Sequence, residues 1–342
     1  MSARVLVSIV TYNSARHLQS CFESLRGQKY RDFTVSLWDN ASTDDTPAII
    51  ARHRDVLGFA FFSDHNLGFC AAHNRLIAPT SLDYVLVLNP DVVLDPLFLE
   101  ILVREMDRDL RAGSATGKLL RPQAASDPAC IDTAGIYMTP NQRHLDRGSG
   151  EIDTGQYERH EYVFGASGAA ALYRRAMLED VRSGAEYFDE SFFAYREDVD
   201  LAWRAQWMGW PCLYVPEAKG YHARSVLPEN RGVLSAAINM HSFKNRFLLR
   251  LKNMDLGTYA RFFIPITLRD AAAVAYVLAR EWSSLPGIAL LLRASPRAWA
   301  SRKSMKTRRR ASAGEIRAWF SYRPVARPKV PSFSTSADRP KR

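Results

Sequence analysis

Four short apolar runs, Val5 to Val10, Phe33 to Trp38, Phe59 to Phe62 and Tyr84 to Leu88, alternate with helix-patterned segments near 15–26, 44–54 and 69–78. Strands separated by helices of this length pair through crossovers. The first hundred residues therefore predict an α/β fold, a mostly parallel central sheet with helices on both faces. Ligands of such sheets bind outside the carboxyl ends of the strands. Here those ends carry Thr11-Tyr12-Asn13, Asp39-Asn40, His65-Asn66 and Asn89-Pro90-Asp91.

Asp91 is the sharpest of these signals. It lies between Val87-Leu88 and Val92-Val93-Leu94, and an uncompensated charge among apolar groups costs roughly several kcal/mol. Asp39 leaves a strand predicted to be buried, and the Asn-Ala-Ser-Thr-Asp that follows supplies a turn and a helix cap, the cap role falling to Asp44. Residues 113–163 read as loops and short strands. A helix is predicted from about 191 to 208, closed by Gly209, and then a strand from Cys212 to Val215. Near the start of that helix, Glu197-Asp198 offers a carboxylate pair. Asp200 reads as a first-turn acid favoured by the helix dipole, and Arg174-Arg175 as a solvated helix face.

The apolar share of 47% and charged share of 24% over 342 residues are those of a chain with a sizeable core. Cys21, Cys70, Cys130 and Cys212 show no CxxC spacing and read as reduced thiols, and the amino terminus enters a strand pattern directly, so the chain is expected in the cytoplasm. The net charge of +10 is concentrated late: residues 293–342 hold 15 Lys or Arg against Glu315 and Asp338, leaving about −3 for the rest. From 232 onward the pattern is helical and basic. Apolar pieces at 262–268, 271–278 and 285–292 are interrupted by Arg269-Asp270 and Arg280-Glu281, and none approaches the ~18–20 residues of a membrane span. They read as helices that lie in a membrane interface or pack on one another. The expected division is a catalytic domain over 1–231, a helical, basic, membrane-associating region over 232–322, and a disordered tail over 323–342. A nicotinamide-dependent oxidoreductase would carry GxGxxG in its first turn, and TYNSARHL contains no glycine. A nucleic-acid-binding role for the tail is disfavoured because few aromatics interleave its basic residues, Trp319, Phe320 and Tyr322 falling together.

Taken together, VSIVTYN (7–13), WDNASTDDT (38–46), HNLGFCAAHN (65–74) and LNPDV (88–92) resemble the family 2 glycosyltransferases of the GT-A fold, over about residues 4–250. The resemblance implies an inverting transferase with a nucleoside-diphosphate sugar donor bound by Thr11, Tyr12, Asn13, Asp39, Asn66, Gly68, Asn89 and Asp91. Asp39 would hold the base, and Asn66 and Gly68 would lie against the ribose and diphosphate. Asp91 matches the last acid of the family's Asp-x-Asp motif, with Asn89 in place of the first. It would reach Mg²⁺ or Mn²⁺, which with the diphosphate compensates the carboxylate, and His222 would complete the metal site. FDESFFAYREDVDLAWRAQWMGW (188–210) resembles the acceptor-side Glu-Asp motif. It makes Asp198 the candidate base with Glu197 beside it, and the small residues of FGASGAAALYRR (164–175) would admit sugar or acceptor. The Asn-Pro-Asp form, the NLGF segment and the basic helical end are most similar to bacterial rhamnosyltransferases of cell-surface polysaccharide assembly. They imply dTDP-rhamnose as donor, a polyprenyl-diphosphate-linked glycan as acceptor, and a peripheral position on the inner face of the cell membrane against anionic lipid.

Overall fold

The structure is a computed structural model describing residues 3–122, 128–224 and 235–321. The 231/232 boundary and the tail from 323 lie outside the described residues. The first half runs β1 (Val5–Thr11), α1 (Ala15–Arg26), β2 (Phe33–Asp39), α2 (Thr46–Arg52), β3 (Phe59–Phe62), α3 (Gly68–Ile77), β4 (Tyr84–Leu88), β5 (Val92–Leu94) and α4 (Phe98–Arg108). There follow β6 (Ser114–Leu120), β7 (Ile131–Thr133), β8 (Ile136–Met138), β9 (His144–Asp146), β10 (Glu161–Val163), β11 (Ala170–Arg174) and α5 (Arg175–Val181). The chain closes with α6 (Glu197–Trp207), β12 (Cys212–His222), α7 (Ala236–Asn253), α8 (Leu256–Arg261), α9 (Phe263–Arg280), α10 (Pro286–Arg308) and α11 (Ala313–Trp319).

The main sheet has the order β10-β12-β6-β11-β4-β1-β2-β3. Strands β4, β1, β2 and β3 are mutually parallel, as predicted, and the order reverses beside β1, the place where such sheets bind ligands. Strand alternation feeds two cores: Val5, Val7 and Ile9 pack with α1 and α4 on one face, while Leu6, Val85 and Val87 pack on the other with α5, α6, α7 and α11.

Register then places the site. Thr11 pairs with Asp39 across β1 and β2. β11 runs antiparallel to β4 with Ala170 opposite Leu88, so the 167–169 segment lies beside Asn89. β12 is longer than predicted, and its end sets His222 opposite Val92 of β5.

The second half departs from the sequence reading in three places. The helix predicted from 191 begins at Glu197, after a 3-10 turn at Glu190–Phe192, because Phe193, Tyr195 and Arg196 all have positive φ, from 65° to 73°. Arg269-Asp270 breaks the apolar pattern without breaking the helix, so α9 is continuous through it. Arg174 and Arg175 are not a solvated face. Arg174 donates to the carbonyl of Ala112 at 2.9 Å and Arg175 to Thr80 Oγ1 at 2.7 Å, both half-buried, because β11 delivers them against carbonyls left at element ends.

Candidate active site

At the end of β2, Asp39 is buried and its carboxylate is fixed by three donors. Oδ1 accepts from Thr11 Oγ1 at 2.7 Å and Ser42 Oγ at 2.6 Å, and Oδ2 accepts from the Ser42 amide at 3.0 Å. The β1 end is stitched to the same loop: Asn13, at φ 49°, donates its amide to Ser42 Oγ at 2.9 Å, and its Oδ1 accepts from the Thr43 amide at 2.8 Å. Asp44 caps helices, as the sequence predicts, accepting from the amides of Ala15 and Thr46. Tyr12 stays exposed on the rim. Asn66 Oδ1 accepts from the Gly68 amide at 2.8 Å, an Asx turn that starts α3. Gly68 has φ +80°, and a Cβ there would stand 2.7 Å from the carbonyl oxygen of Phe193, so the close approach it permits in this structure is to the strained turn before Glu197.

Asp91 is compensated within the protein. Its Oδ1 lies 3.3 Å from His222 Nε2, and His222 Nδ1 lies 2.7 Å from Asp132 Oδ2 on β7. Burial works against a charged imidazole, but the hydrogen bonds to Asp132 and Asp91 outweigh it and raise His222 to about 9. Burial also works against the Asp91 carboxylate, and His222 reverses that, holding it below its ordinary value. Asn89 donates its amide to the Ala169 carbonyl at 2.8 Å.

Among the described residues no group of three or more His, Cys, Asp or Glu converges as a metal cage. The donor set is one carboxylate and one imidazole, the imidazole oriented by a carboxylate on its other nitrogen as ligating histidines usually are. Once Nε2 gives up its proton, such a pair fits a hard divalent cation whose remaining ligands are phosphate and water.

Asp198 sits across the 167–169 segment from Asn89. Its Oδ2 accepts from the Gly168 amide at 3.1 Å and its Oδ1 from the Val199 amide at 2.8 Å. Burial raises Asp198, and the Gly168 amide partly offsets this. Burial and the neighbouring Asp198 push Glu197 well above the carboxylate range, and its Oε2 is buried without a hydrogen-bond partner. Both carboxyls are raised, Glu197 the more strongly, and Asp198, held by two backbone amides, is the one placed to take a proton. Of the small residues before β11, Gly165 receives Ala202 of α6, whose Cβ would be 2.4 Å from a Cβ there, so its smallness serves packing.

Several residues that hold this half in place are invisible to motif reading. Arg224 lies 2.7 Å from Asp146 and 3.3 Å from Asp132, bridging β9 to the His222 pair. On α7, the amide nitrogen of Asn245 lies 2.8–2.9 Å from the carbonyl oxygens of Phe192, Ala194 and Tyr195, gripping the left-handed turn. Lys252 Nζ lies 2.7 Å from Asp189 and 2.8 Å from Asp200, and Asp200 also pairs with Arg204 at 2.9 Å and accepts from Asn253. Asp200 is therefore not a dipole-stabilising surface acid but the buried centre of an ion network. The sequence signal that could have found it is Lys252-Asn253 at the end of an otherwise amphipathic helix.

The glycosyl transferase family 2 model matches residues 6–182. An N-acetylglucosaminyl-diphospho-decaprenol L-rhamnosyltransferase of Mycobacterium tuberculosis is 33% identical over 248 residues, 64% of this chain and 76% of that protein. The crystal structure of Staphylococcus aureus TarS 1–349 in complex with UDP-GlcNAc superposes with a TM-score of 0.53 at 17% identity, over 94% of this chain and 87% of that one. The mannosyltransferase PcManGT of Pyrobaculum calidifontis, solved with GDP-Man and Mn²⁺, gives 0.50 at 17% identity, over 94% and 89%. The chain belongs to glycosyl transferase family 2, has the GT-A fold, and is a glycosyltransferase.

Proposed function

We propose that this family 2 glycosyltransferase moves L-rhamnose, with inversion, from dTDP-rhamnose to a hydroxyl of a polyprenyl-diphosphate-linked glycan. The observation that supports this most is the convergence of Asp39, Asp91 and Asp198 at the carboxyl edge of the sheet, one carboxylate for each part of the reaction. The rhamnosyl donor and lipid-linked acceptor are carried over from the 33% identical mycobacterial enzyme.

Asp39, held by Thr11 and Ser42, faces the base, while Tyr12, Asn13, Asn66, Gly68 and Asn89 frame the ribose and diphosphate. Asp91 and His222 would hold Mg²⁺ or Mn²⁺, whose chemistry is to neutralise the diphosphate. Asp198 accepts the acceptor hydroxyl's proton as that oxygen forms its bond to the anomeric carbon. The bond from that carbon to the diphosphate oxygen breaks, and its electron pair leaves with the nucleotide. Gly168 and Val199 keep Asp198 oriented through this step, with Glu197 beside it.

The acceptor side would meet the bilayer through α9 and α10. No helix among the described residues is long and apolar enough to cross a membrane. Yet Ile264, Leu268 and Trp282 are 70%, 67% and 69% exposed, and Arg280 and Arg293 flank them on the surface. One stripe, Ile266 and Val277, packs inward, so these helices serve both as a subdomain and as an interfacial face. Attraction of anionic lipid adds ~1 kcal/mol per basic residue near the surface. The enzyme would then act from the cytoplasmic face of the membrane.

A thermal-shift screen of nucleotide sugars with Mg²⁺ or Mn²⁺ tests the donor, since a ligand at 100 Kd adds about 2.7 kcal/mol. dTDP-rhamnose should give the largest shift and support transfer to a lipid-diphosphate-linked N-acetylglucosamine. A larger shift and faster transfer with a uridine or guanosine diphosphate sugar would overturn the donor assignment.

A further inference from the structure

β7 meets β6 irregularly. The register passes from Leu119 opposite Thr133 to Leu120 opposite Ile131, which leaves Asp132 as an extra residue with no partner across the ladder. A bulge of this kind re-aims a side chain, and bulges gather beside functional sites. Asp132 is fully buried, where a carboxylate persists only with compensating partners. Its two oxygens meet two kinds of neighbour. Oδ2 accepts from His222 Nδ1 at 2.7 Å. Oδ1 has no hydrogen bond among the described residues and faces guanidinium groups, Arg224 Nε at 3.3 Å and Arg121 Nε at 3.9 Å.

Arg224 is fixed in its turn. Its Nη2 donates to Asp146 Oδ2 on β9 at 2.7 Å. Between His222 and Arg224, the amide of Ala223 donates to the carbonyl of Asp91 at 3.0 Å, so the segment that supplies both side chains is tied to Asp91 through its backbone. One chain of contacts thus runs from Asp91 through His222, Asp132 and Arg224 to the β8–β9 hairpin. A carboxylate accepts and cannot donate, so the proton of the Asp132 contact sits on Nδ1. Nε2 is then the nitrogen turned to Asp91, 3.3 Å away.

We propose that Asp132, held by Arg224, is a positioning residue for the divalent cation: it keeps the proton of His222 on Nδ1 and leaves Nε2 facing the site shared with Asp91. This inference rests on the metal role proposed above for Asp91 and His222. Carboxylates behind ligating histidines act in this way, by fixing both the tautomer and the ring orientation.

The discriminating variant is Asp132→Asn, which keeps size and shape. Guanidinium donors face the Oδ1 side, so the new amide turns its oxygen to Arg224 and its NH₂ group to His222. A donor there requires Nδ1 to accept and moves the ring proton to Nε2, the wrong tautomer that the same exchange produces in a Ser-His-Asp triad. Mn²⁺ binding to the full chain at saturating dTDP is read by EPR against the same dTDP without protein. Asp132→Asn should lose roughly 10–100-fold in Mn²⁺ affinity, and at least as much as Asp132→Ala. Its dTDP affinity in EDTA should stay within about twofold of wild type, and excess Mn²⁺ should restore turnover. A role in packing alone gives the opposite order, Asp132→Ala being the more damaging, and no rescue by metal.

Mn²⁺ affinity of Asp132→Asn within about twofold of wild type would overturn the proposal. So would a larger loss in Asp132→Ala, or lost turnover that excess Mn²⁺ does not restore. If Asp132→Ala does not fold, the affinity and the rescue of Asp132→Asn decide. His222→Ala separates this inference from the one beneath it. Wild-type Mn²⁺ affinity in His222→Ala would remove the metal role and the positioning role together, whereas a loss confined to His222→Ala would remove only the role of Asp132.

Discussion

The two halves of the site are built by different means. On the proposed donor side, Thr11, Asn13, Asp39 and Ser42 hold one another across neighbouring strand ends, by contacts that parallel register alone brings about. On the proposed acceptor side, Glu197 and Asp198 follow a turn with three positive-φ residues that are not glycine. Each of these costs of order 1–3 kcal/mol unless its surroundings impose it. What imposes it is α7, about fifty residues further on, through Asn245 and the Lys252 network. A pocket made of strand ends needs only its sheet, whereas the carboxylate proposed as base, set by a strained turn, needs a helix to hold it.

The largest expected effect probes the seam between the halves. Asp91→Asn should abolish transfer and weaken Mg²⁺-dependent dTDP binding, while Asp95→Asn leaves both within about twofold of wild type. Wild-type activity in Asp91→Asn would remove the residue from the metal role. Next, Asn245→Ala releases the turn, which meets the donor side only where Phe193 abuts Gly68 and Cys70 at the start of α3. Its kcat should fall roughly 10–100-fold, as small misplacements of reacting groups do, with dTDP affinity unchanged. A lowered melting temperature with full kcat would show that the clamp is only structural.

Lys252→Met leaves Asp189 and Asp200 buried without their shared cation and should cost ~3–5 kcal/mol in urea unfolding. A cost below ~1 kcal/mol would mean that Arg204 and Asn253 suffice. The smallest effect is a pH dependence. Burial alone would raise Asp189, but Lys252 overcomes it and holds the carboxyl well below its ordinary value. A depressed carboxyl contributes stability above its unfolded pKa of ~3.9 that is lost as pH falls toward the folded value. The melting-temperature gap between wild type and Asp189→Asn should therefore narrow below about pH 4, and a constant gap would contradict the assignment.

This contrast also explains what could be read in advance. The parallel half-sheet and the residues at its strand ends were legible because short continuous apolar runs dictate both the strands and where they stop. Asp198 was legible only as part of a motif. Its setting was not, since nothing near Arg196 in the chain signals that Asn245 will meet the carbonyls behind it. Asp200 and Arg174-Arg175 were misread for the same reason: local pattern makes them a dipole acid and a solvated face, and partners far along the chain bury them. Arg224 escaped because a single arginine after a strand has no pattern at all.

The central claim is that donor binding and proton removal belong to separate halves, and one pair of measurements on Asp198→Asn tests it most directly: dTDP titration beside single-turnover transfer. Affinity for dTDP should stay within about twofold of wild type while the transfer rate falls roughly 10²–10⁴-fold. A loss of dTDP affinity in proportion to the loss of rate would contradict the division and make Asp198 part of the donor site.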